Sequence, residues 1–314
     1  MKVIFMGTPD FSVGALEAII QAGHQVTAVV TQPDKAKGRK KEVQMTPVKE
    51  CALKYDIPVF QPVKIKLPEA VEKLKTFEAD IFIVAAFGQI LSEEILNMPK
   101  YGCINIHASL LPKYRGAAPI QWVILNGEKE TGITIMQLDK GVDTGDMLMR
   151  QTVVIDERET GDSLRDKLGE VGAELIVKAL PLIEKGELSP KKQEDSEATY
   201  FTVLDKSLGC IDWEKDAKSI DRLVRGLNSW PSAYTYYNNK TLKIWEAYAQ
   251  DCDSTGQAGT VSKVDKDSFY INTGKNQLKV TQVQLEGKKR MNVKEFLLGN
   301  PLSEGTFFSK DTKS

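Results

Sequence analysis

The chain is poor in the residues that most often carry covalent or metal chemistry. Its four cysteines, Cys51, Cys103, Cys210 and Cys252, stand far apart with no C-x-x-C pair. That spacing speaks against a zinc ribbon or a disulfide framework and for a reducing compartment. There are only two histidines, His24 and His107. No run of 18 apolar residues occurs, and the opening Met1-Lys2-Val3-Ile4-Phe5-Met6 is too short for the apolar centre of a signal peptide. A cytoplasmic protein with no membrane association is therefore expected. Net charge is missing too: 42 Lys and Arg against 43 Asp and Glu leave −1, so any contact with nucleic acid has to come from a local patch. The first turn, Gly7-Thr8-Pro9-Asp10-Phe11-Ser12-Val13-Gly14, lacks the G-x-G-x-x-G spacing that lets a backbone approach a pyrophosphate. A dinucleotide site is not indicated.

What the chain does have is length and rhythm. At 314 residues it exceeds a single domain of roughly 100 to 200 residues, so two domains are expected. Short apolar runs near residues 3–6, 26–30, 57–60, 80–86 and 102–107 alternate with helical spacing at 13–20, 46–55, 67–77 and 119–126. The fold class this predicts is α/β: a Rossmann-like, mostly parallel sheet with helices on both faces. Residues 131–138 and 147–155 read as a further pair of strands, and a long helix follows Thr160 to Leu182. Periodicity then fades. The reading is a first domain over 1–186, a linker over 187–207 and a second domain over 208–314.

The second domain opens on an amphipathic helix with Ile220, Leu223, Val224 and Leu227 on one face. Short strands punctuated by Asn238-Asn239, Gly259 and Gly274 follow, which suggests a small OB-like β-barrel. From Asp205 on there are 17 Lys and Arg against 14 Asp and Glu, so this part is mildly basic. Trp230, Tyr234, Tyr236, Tyr237 and Trp245 include rings that could stack on bases, with a core role expected for most.

One connection breaks the α/β rhythm. Residues 34–47 have no internal periodicity, whereas such loops are typically about 2 to 6 residues long. Lys35, Lys37, Arg39, Lys40 and Lys41 flank Gly38 with no acid among them. A solvated surface loop and a phosphate-contacting loop both fit.

The densest chemistry lies at 102–118. Asn105 and His107 alternate on one face of a strand, just before the turn Ser109-Leu110-Leu111-Pro112. Strand ends of this kind are where open α/β sheets hold ligands. Asp143, after the next strand, is placed to orient the His107 ring and favour its protonated form. Asp139, Asp143 and Asp146 in a Gly-containing loop lack calcium-loop spacing, so a turn is the plainer reading and no metal is expected. With no Ser or Cys at a nucleophile elbow, covalent hydrolysis is disfavoured. Direct acyl transfer suits the trio, because a tetrahedral oxyanion needs donors and a proton has to move.

Asn105-Ile-His107, Ser109-Leu-Leu-Pro112, Lys113-Tyr-Arg-Gly116 and Asp143-Thr-Gly145, in that order, resemble the signature of the folate-dependent formyltransferases. Gly7-Thr-Pro-Asp-Phe11, the basic insertion, Gly116-Ala-Ala-Pro-Ile120 and Trp230-Pro231 extend the likeness over nearly the whole chain. The resemblance implies a formyl donor, 10-formyltetrahydrofolate, and an acceptor amine carried on tRNA, the α-amine of methionyl initiator tRNA. It assigns catalysis to Asn105, His107 and Asp143. Folate contacts fall to Ser109, Leu110, Leu111 and Pro112, with Gln89, Ile90 and Leu91 as a wall, and tRNA contacts to Lys35, Lys37, Arg39, Lys40 and Lys41. A small acceptor, such as glycinamide ribonucleotide or an amino sugar nucleotide, is the competing reading, and an inactive tRNA-binding protein is a second. Neither uses all the parts: a small acceptor needs no basic insertion or barrel, and a pure binder needs no trio. A monomer is expected, since no extended apolar stripe is left over.

Overall fold

The computed structural model describes residues 1–37 and 42–310. They form two compact units. The first comprises Met1–Pro119, Glu130–Val154 and Arg165–Phe201; the second comprises Ile120–Lys129, Ile155–Leu164 and the chain from Thr202 on.

The first unit is built on a seven-stranded sheet, whose strands are β1 (Lys2–Gly7), β2 (Gln25–Val30), β5 (Val59–Phe60), β6 (Ile81–Ala85), β7 (Cys103–His107), β9 (Glu130–Gln137) and β10 (Met147–Val154). Their order is β10-β9-β7-β6-β1-β2-β5. The five strands from β7 to β5 are mutually parallel, and β9 and β10 are antiparallel additions at the edge. Parallel strands need helical crossovers, which α1 (Val13–Gln21), α2 (Pro47–Lys54), α3 (Pro68–Lys75) and the one-turn α4 (Glu93–Leu96) supply. Because both faces are covered, β1 and β6 are buried runs of Val, Ile, Phe and Met rather than alternating ones. Ile4, Met6, Ala28, Val30, Phe82 and Val84 pack on Leu74, Val71 and Ile95 on one side. α2 starts where expected, with Thr46 Oγ1 accepting from the Lys49 N–H at 3.2 Å and Pro47 in the first turn.

The insertion departs from expectation. It contains a short antiparallel hairpin, β3 (Lys35–Lys37) with β4 (Glu42–Gln44). Periodicity could not reveal strands three residues long. Asp34 fixes its base: Lys49 Nζ donates to Asp34 Oδ2 at 2.5 Å and Gln61 Nε2 to Asp34 Oδ1 at 2.7 Å.

The segment read as a linker also behaves differently. As far as Phe201 it belongs to the first unit, where β11 (Tyr200–Phe201) runs parallel to β8 (Arg115–Gly116). Two-residue strands leave no alternation to detect.

After α5 (Pro119–Asn126) and α6 (Gly161–Lys185) comes α7 (Ala217–Gly226), which in the second unit packs with an antiparallel sheet ordered β12-β13-β16-β15-β14. These are Ala233–Tyr237, Lys240–Gln250, Gln277–Leu285, Phe269–Asn272 and Val261–Val264 respectively. The short β17 (Met291–Asn292) pairs with β16 and leads into α8 (Val293–Gly299). Residues 305–309 bridge the two outer strands, meeting Tyr236 of β12 on one side and Thr260 and Val261 on the other. The barrel is closed by this strap. Of the aromatic candidates, Tyr237 is in the core against Phe296 and Phe308, while Trp230 is exposed. Trp245 has the Arg290 guanidinium 4.9 Å from its ring.

Candidate active site

β7 ends at the carboxyl edge of the sheet, and three loops meet there. Thr8, after β1, and Gln32, after β2, both donate side-chain hydrogen bonds to the Phe87 carbonyl after β6, each at 3.1 Å. Residues 108–116 continue from β7 itself. This convergence of strand-end loops is where ligands lodge in parallel sheets.

His107 is buried, and both ring nitrogens face oxygens. Nε2 lies 3.0 Å from the Tyr114 carbonyl; a carbonyl only accepts, so Nε2 carries a proton. Nδ1 lies 3.6 Å from Asp143 Oδ1, an ion-pair distance just beyond a hydrogen bond. Asp143 is anchored in turn by the Gly116 N–H, which donates to Oδ2 at 2.8 Å. Asn105 stands two residues before His107 on the same strand face and is half-buried. Among the described residues none takes a hydrogen bond from its amide, which is left available for a ligand oxygen. His24 is elsewhere, with Nδ1 3.5 Å from the N-terminal amine; burial first, and that ammonium second, lower its pKa.

The Ser109–Pro112 turn is held from beneath. Thr134 Oγ1 donates to the Ser109 carbonyl at 2.6 Å and accepts from the Leu111 N–H at 3.2 Å. Ser109 Oγ donates to the Lys113 carbonyl at 2.8 Å, and Arg150 Nη1 to the Leu111 carbonyl at 3.0 Å. Ser109, Leu111 and Pro112 are buried, and the Leu111 side chain packs on Met136 and Met147. Leu110 is only half-buried. In the loop after β6 Leu91 is buried, whereas Ile90 is 80% exposed, much surface for an isoleucine near a strand end. Gln89 is occupied structurally: Oε1 accepts from the Ile65 N–H at 2.7 Å and Nε2 donates to the Pro62 carbonyl at 3.0 Å. Of these candidates Ile90 is the exposed apolar group, while half-buried Leu110 lies over Gly132 of β9.

Lys35 is exposed on the hairpin, and Lys37 ends β3. Arg39, Lys40 and Lys41 lie outside the described residues. No group of three or more His, Cys, Asp or Glu is placed to hold a metal ion among the described residues. Among them, too, no helix is long and apolar enough to cross a membrane.

Arg115 and Gln193 also border this site. Arg115 is 1% exposed and spends its whole fork: Nε on Gln193 Oε1 at 2.9 Å, Nη1 on the Tyr200 hydroxyl at 2.5 Å and Nη2 on Asp195 Oδ1 at 2.9 Å. Burial works against its charge, and the bonds to Asp195 and Tyr200 outweigh it, so its pKa lies above the ordinary arginine value. An Arg after Tyr in the turn was a visible signal; Gln193 offered none, because most of its partners are main chain.

A profile of the formyl transferase family matches residues 1–180, and one of the formyl transferase C-terminal domain matches residues 203–301. The chain is 57% identical over 309 residues to the methionyl-tRNA formyltransferase of Agathobacter rectalis, covering 98% of this chain and all of that protein. It is 52% identical to the one from Lachnospira eligens, over 99% of this chain and all of that protein. Among solved structures, an N-formyltransferase from Helicobacter canadensis, in complex with folinic acid and dTDP-3-aminofucose, superposes with a TM-score of 0.67 at 21% identity, covering 90% of this chain and 100% of that one. HypX from Aquifex aeolicus, in complex with tetrahydrofolic acid, gives 0.64 at 18% identity over 98% of this chain and 50% of that one.

Proposed function

This chain belongs to the formyl transferase family, and we propose that it moves the formyl group of 10-formyltetrahydrofolate onto the α-amine of methionyl initiator tRNA. The product is N-formylmethionyl-tRNA for translation initiation. The observation that carries this reading is end-to-end identity above 50% with proteins of that name, insertion and barrel included.

The residues fit a folate donor. Ile90 and the half-buried Leu110 offer apolar surface for a flat ring, and the unpartnered Asn105 amide offers a hydrogen-bond donor. The donor supplies an electrophilic formyl carbon; the chain supplies position and charge. The α-amine has an unperturbed pKa of roughly 7.7 to 8.0, so enough neutral amine exists near pH 7 without a strong base. Asn105 donates to the oxyanion that develops on attack, a contact worth roughly 10² to 10³ in rate. His107 Nε2–H reaches the reacting group by giving up the Tyr114 carbonyl, and Asp143 steadies the ring from its other side. The proton lost by the amine and the proton gained by the departing folate nitrogen pass through this imidazole. Lys35, Lys37, Arg39, Lys40 and Lys41 meet the phosphates near the acceptor end of the tRNA, and the basic barrel contributes further contacts. We read the working form as a cytoplasmic monomer, with residues 1–186, extended to Phe201 by the segment that pairs with β8, as the transfer domain and 208–314 as the tRNA-binding domain.

The test is formyl transfer to methionyl initiator tRNA beside deacylated tRNA, glycinamide ribonucleotide and an amino sugar nucleotide. Rapid transfer to the charged tRNA alone is expected. Transfer only to a small amine would keep the site chemistry and overturn the acceptor.

A further inference from the structure

The His107–Asp143 pair does not hold itself together: its atoms are 3.6 Å apart, and each partner is fixed by a main-chain group of residues 114–116. That stretch is in turn fixed by residues 199–201. The Tyr114 N–H donates to Thr199 Oγ1 at 2.8 Å, the Arg115 N–H to the Thr199 carbonyl at 2.8 Å and the Ala117 N–H to the Phe201 carbonyl at 3.0 Å. The Tyr114 and Phe201 rings stack at 4.8 Å. The strand that follows the 143–145 turn is held from earlier in the same segment of chain, since Met147 and Lys191 exchange main-chain hydrogen bonds of 2.8 and 2.9 Å.

Gln193 joins the two sides. Its Nε2 donates to both the Asp143 and the Gly145 carbonyls at 2.8 Å, and its Oε1 accepts from Arg115 Nε at 2.9 Å. Two donors and an acceptor on one planar group are what an amide provides; a carboxylate lacks the donors and an ammonium lacks the acceptor. Asparagine has the chemistry but is one methylene short.

We propose that Gln193, held by Arg115, is a positioning residue that sets the His107–Asp143 distance from outside the motif-bearing loops. The assignment rests on His107 and Asp143 being the reaction pair. Loss of the Gln193 amide frees the 143–145 turn from Arg115, so Asp143 no longer faces Nδ1 in one geometry. A misplacement of about 1 Å at such a site costs up to about a hundredfold in rate.

The full-length protein carrying Gln193→Ala or Gln193→Glu separates this from a general loss of fold. The alanine variant removes all three bonds. The glutamate variant keeps an acceptor for Arg115 but turns a carboxylate toward two carbonyl oxygens. Both are expected to lose roughly ten- to a hundredfold in kcat for formyl transfer, with KM for donor and for charged tRNA within about threefold of wild type. A second readout needs no activity. The chain has only two histidines, so protein labelled with ¹³C,¹⁵N-histidine gives two imidazole spin systems, and His24 is the internal control. The His107 ring signals shift in both variants and those of His24 stay. Should Gln193→Ala fail to fold, Gln193→Glu carries the test. Unmoved His107 signals, or kcat within about twofold of wild type in a folded variant, overturn the proposal. A wild-type protein that does not formylate methionyl-tRNA overturns the functional reading instead, and the histidine spectra still judge the role of Gln193.

Discussion

The Gly116 N–H donates to Asp143 Oδ2 at 2.8 Å, which leaves Oδ1 as the oxygen that faces His107 Nδ1. The carboxylate is aimed by a backbone group 27 residues away, and only an anion offers acceptors in both directions. Asp143→Asn is isosteric, but it must turn either an amide hydrogen toward Nδ1 or an amide nitrogen toward Gly116. Its kcat is expected to fall by about 10² or more with a melting temperature near wild type, since a mis-set imidazole costs rate rather than fold. His107→Ala should fall at least as far, and Asn105→Ala by roughly 10² to 10³. Steady-state kinetics on folded protein decide this; near-full turnover by His107→Ala would remove histidine from the mechanism.

Gly116 has φ +96°, and a Cβ there would stand 2.3 Å from the Phe201 carbonyl oxygen, which is backbone and has no room to yield. Gly116→Ala is therefore expected to destabilise the first unit by about 1–3 kcal/mol and to loosen Asp143 as well. Urea unfolding with an unchanged m-value, together with a reduced kcat, is the expected pair of results. Wild-type values for both would mean that the β8–β11 contact carries no weight.

If the insertion meets tRNA phosphates, each removed cation lowers the salt dependence of binding by close to one unit of the log–log slope. Lys35→Ala and Arg39→Ala should each raise KM for methionyl-tRNA severalfold and leave KM for the formyl donor alone. Fluorescence titrations from 50 to 200 mM salt measure the slope. Equal slopes in wild type and variants would assign the insertion another task.

Hydrogen bonds from Lys49, and then from Gln61, hold the Asp34 carboxyl below its ordinary pKa. A depressed carboxylate stabilises the fold above its unfolded value of about 3.9 and stops doing so as the pH falls through its folded value. The base of the hairpin should stay fixed from pH 8 down to about 4 and loosen below that. Backbone amide shifts of Gln32, Asp34 and Lys35 across this range test it, with Asp34→Asn expected to remove the low-pH transition.

The thiols divide by environment. Burial pushes Cys103 up to about 12, and burial together with the Glu17 carboxylate pushes Cys51 to about 11, whereas Cys252 is exposed. At pH 8 the first two are thiolate to only roughly one part in 10³ to 10⁴, and their burial also shields them from a reagent. Maleimide labelling of native protein should modify Cys252 within minutes and spare Cys51 and Cys103 until denaturant is added. Rapid labelling of Cys103 would show that β7 opens under native conditions.

The long periodic elements were legible because their patterns repeat. The buried run in β6 and the i, i+3, i+4 spacing in α7 each give several residues of evidence. Asn105 and His107 were legible for the same reason, since strand alternation places them on one face. Two kinds of feature were not. The hairpin β3–β4 and the pair β8–β11 are too short to show a period. Gln193 and Thr134 act on main-chain carbonyls, and carbonyl positions leave no mark in the residue sequence. Leu111 shows the limit of motif reading: it belongs to the expected turn, yet its side chain anchors the turn from below.

The strap at residues 305–309 has a consequence for solubility. With those residues in place, the outer edges of β12 and β14 spend main-chain donors and acceptors on this same chain. A protein ending before Gly305 would keep most of its barrel core but open the outer edge of β14 and the part of β12 that the Cys210–Tyr234 bridge does not cover, each a template for pairing with a neighbouring molecule. This strap guards the barrel against self-association as well as completing it, so truncation there should appear first as concentration-dependent aggregation.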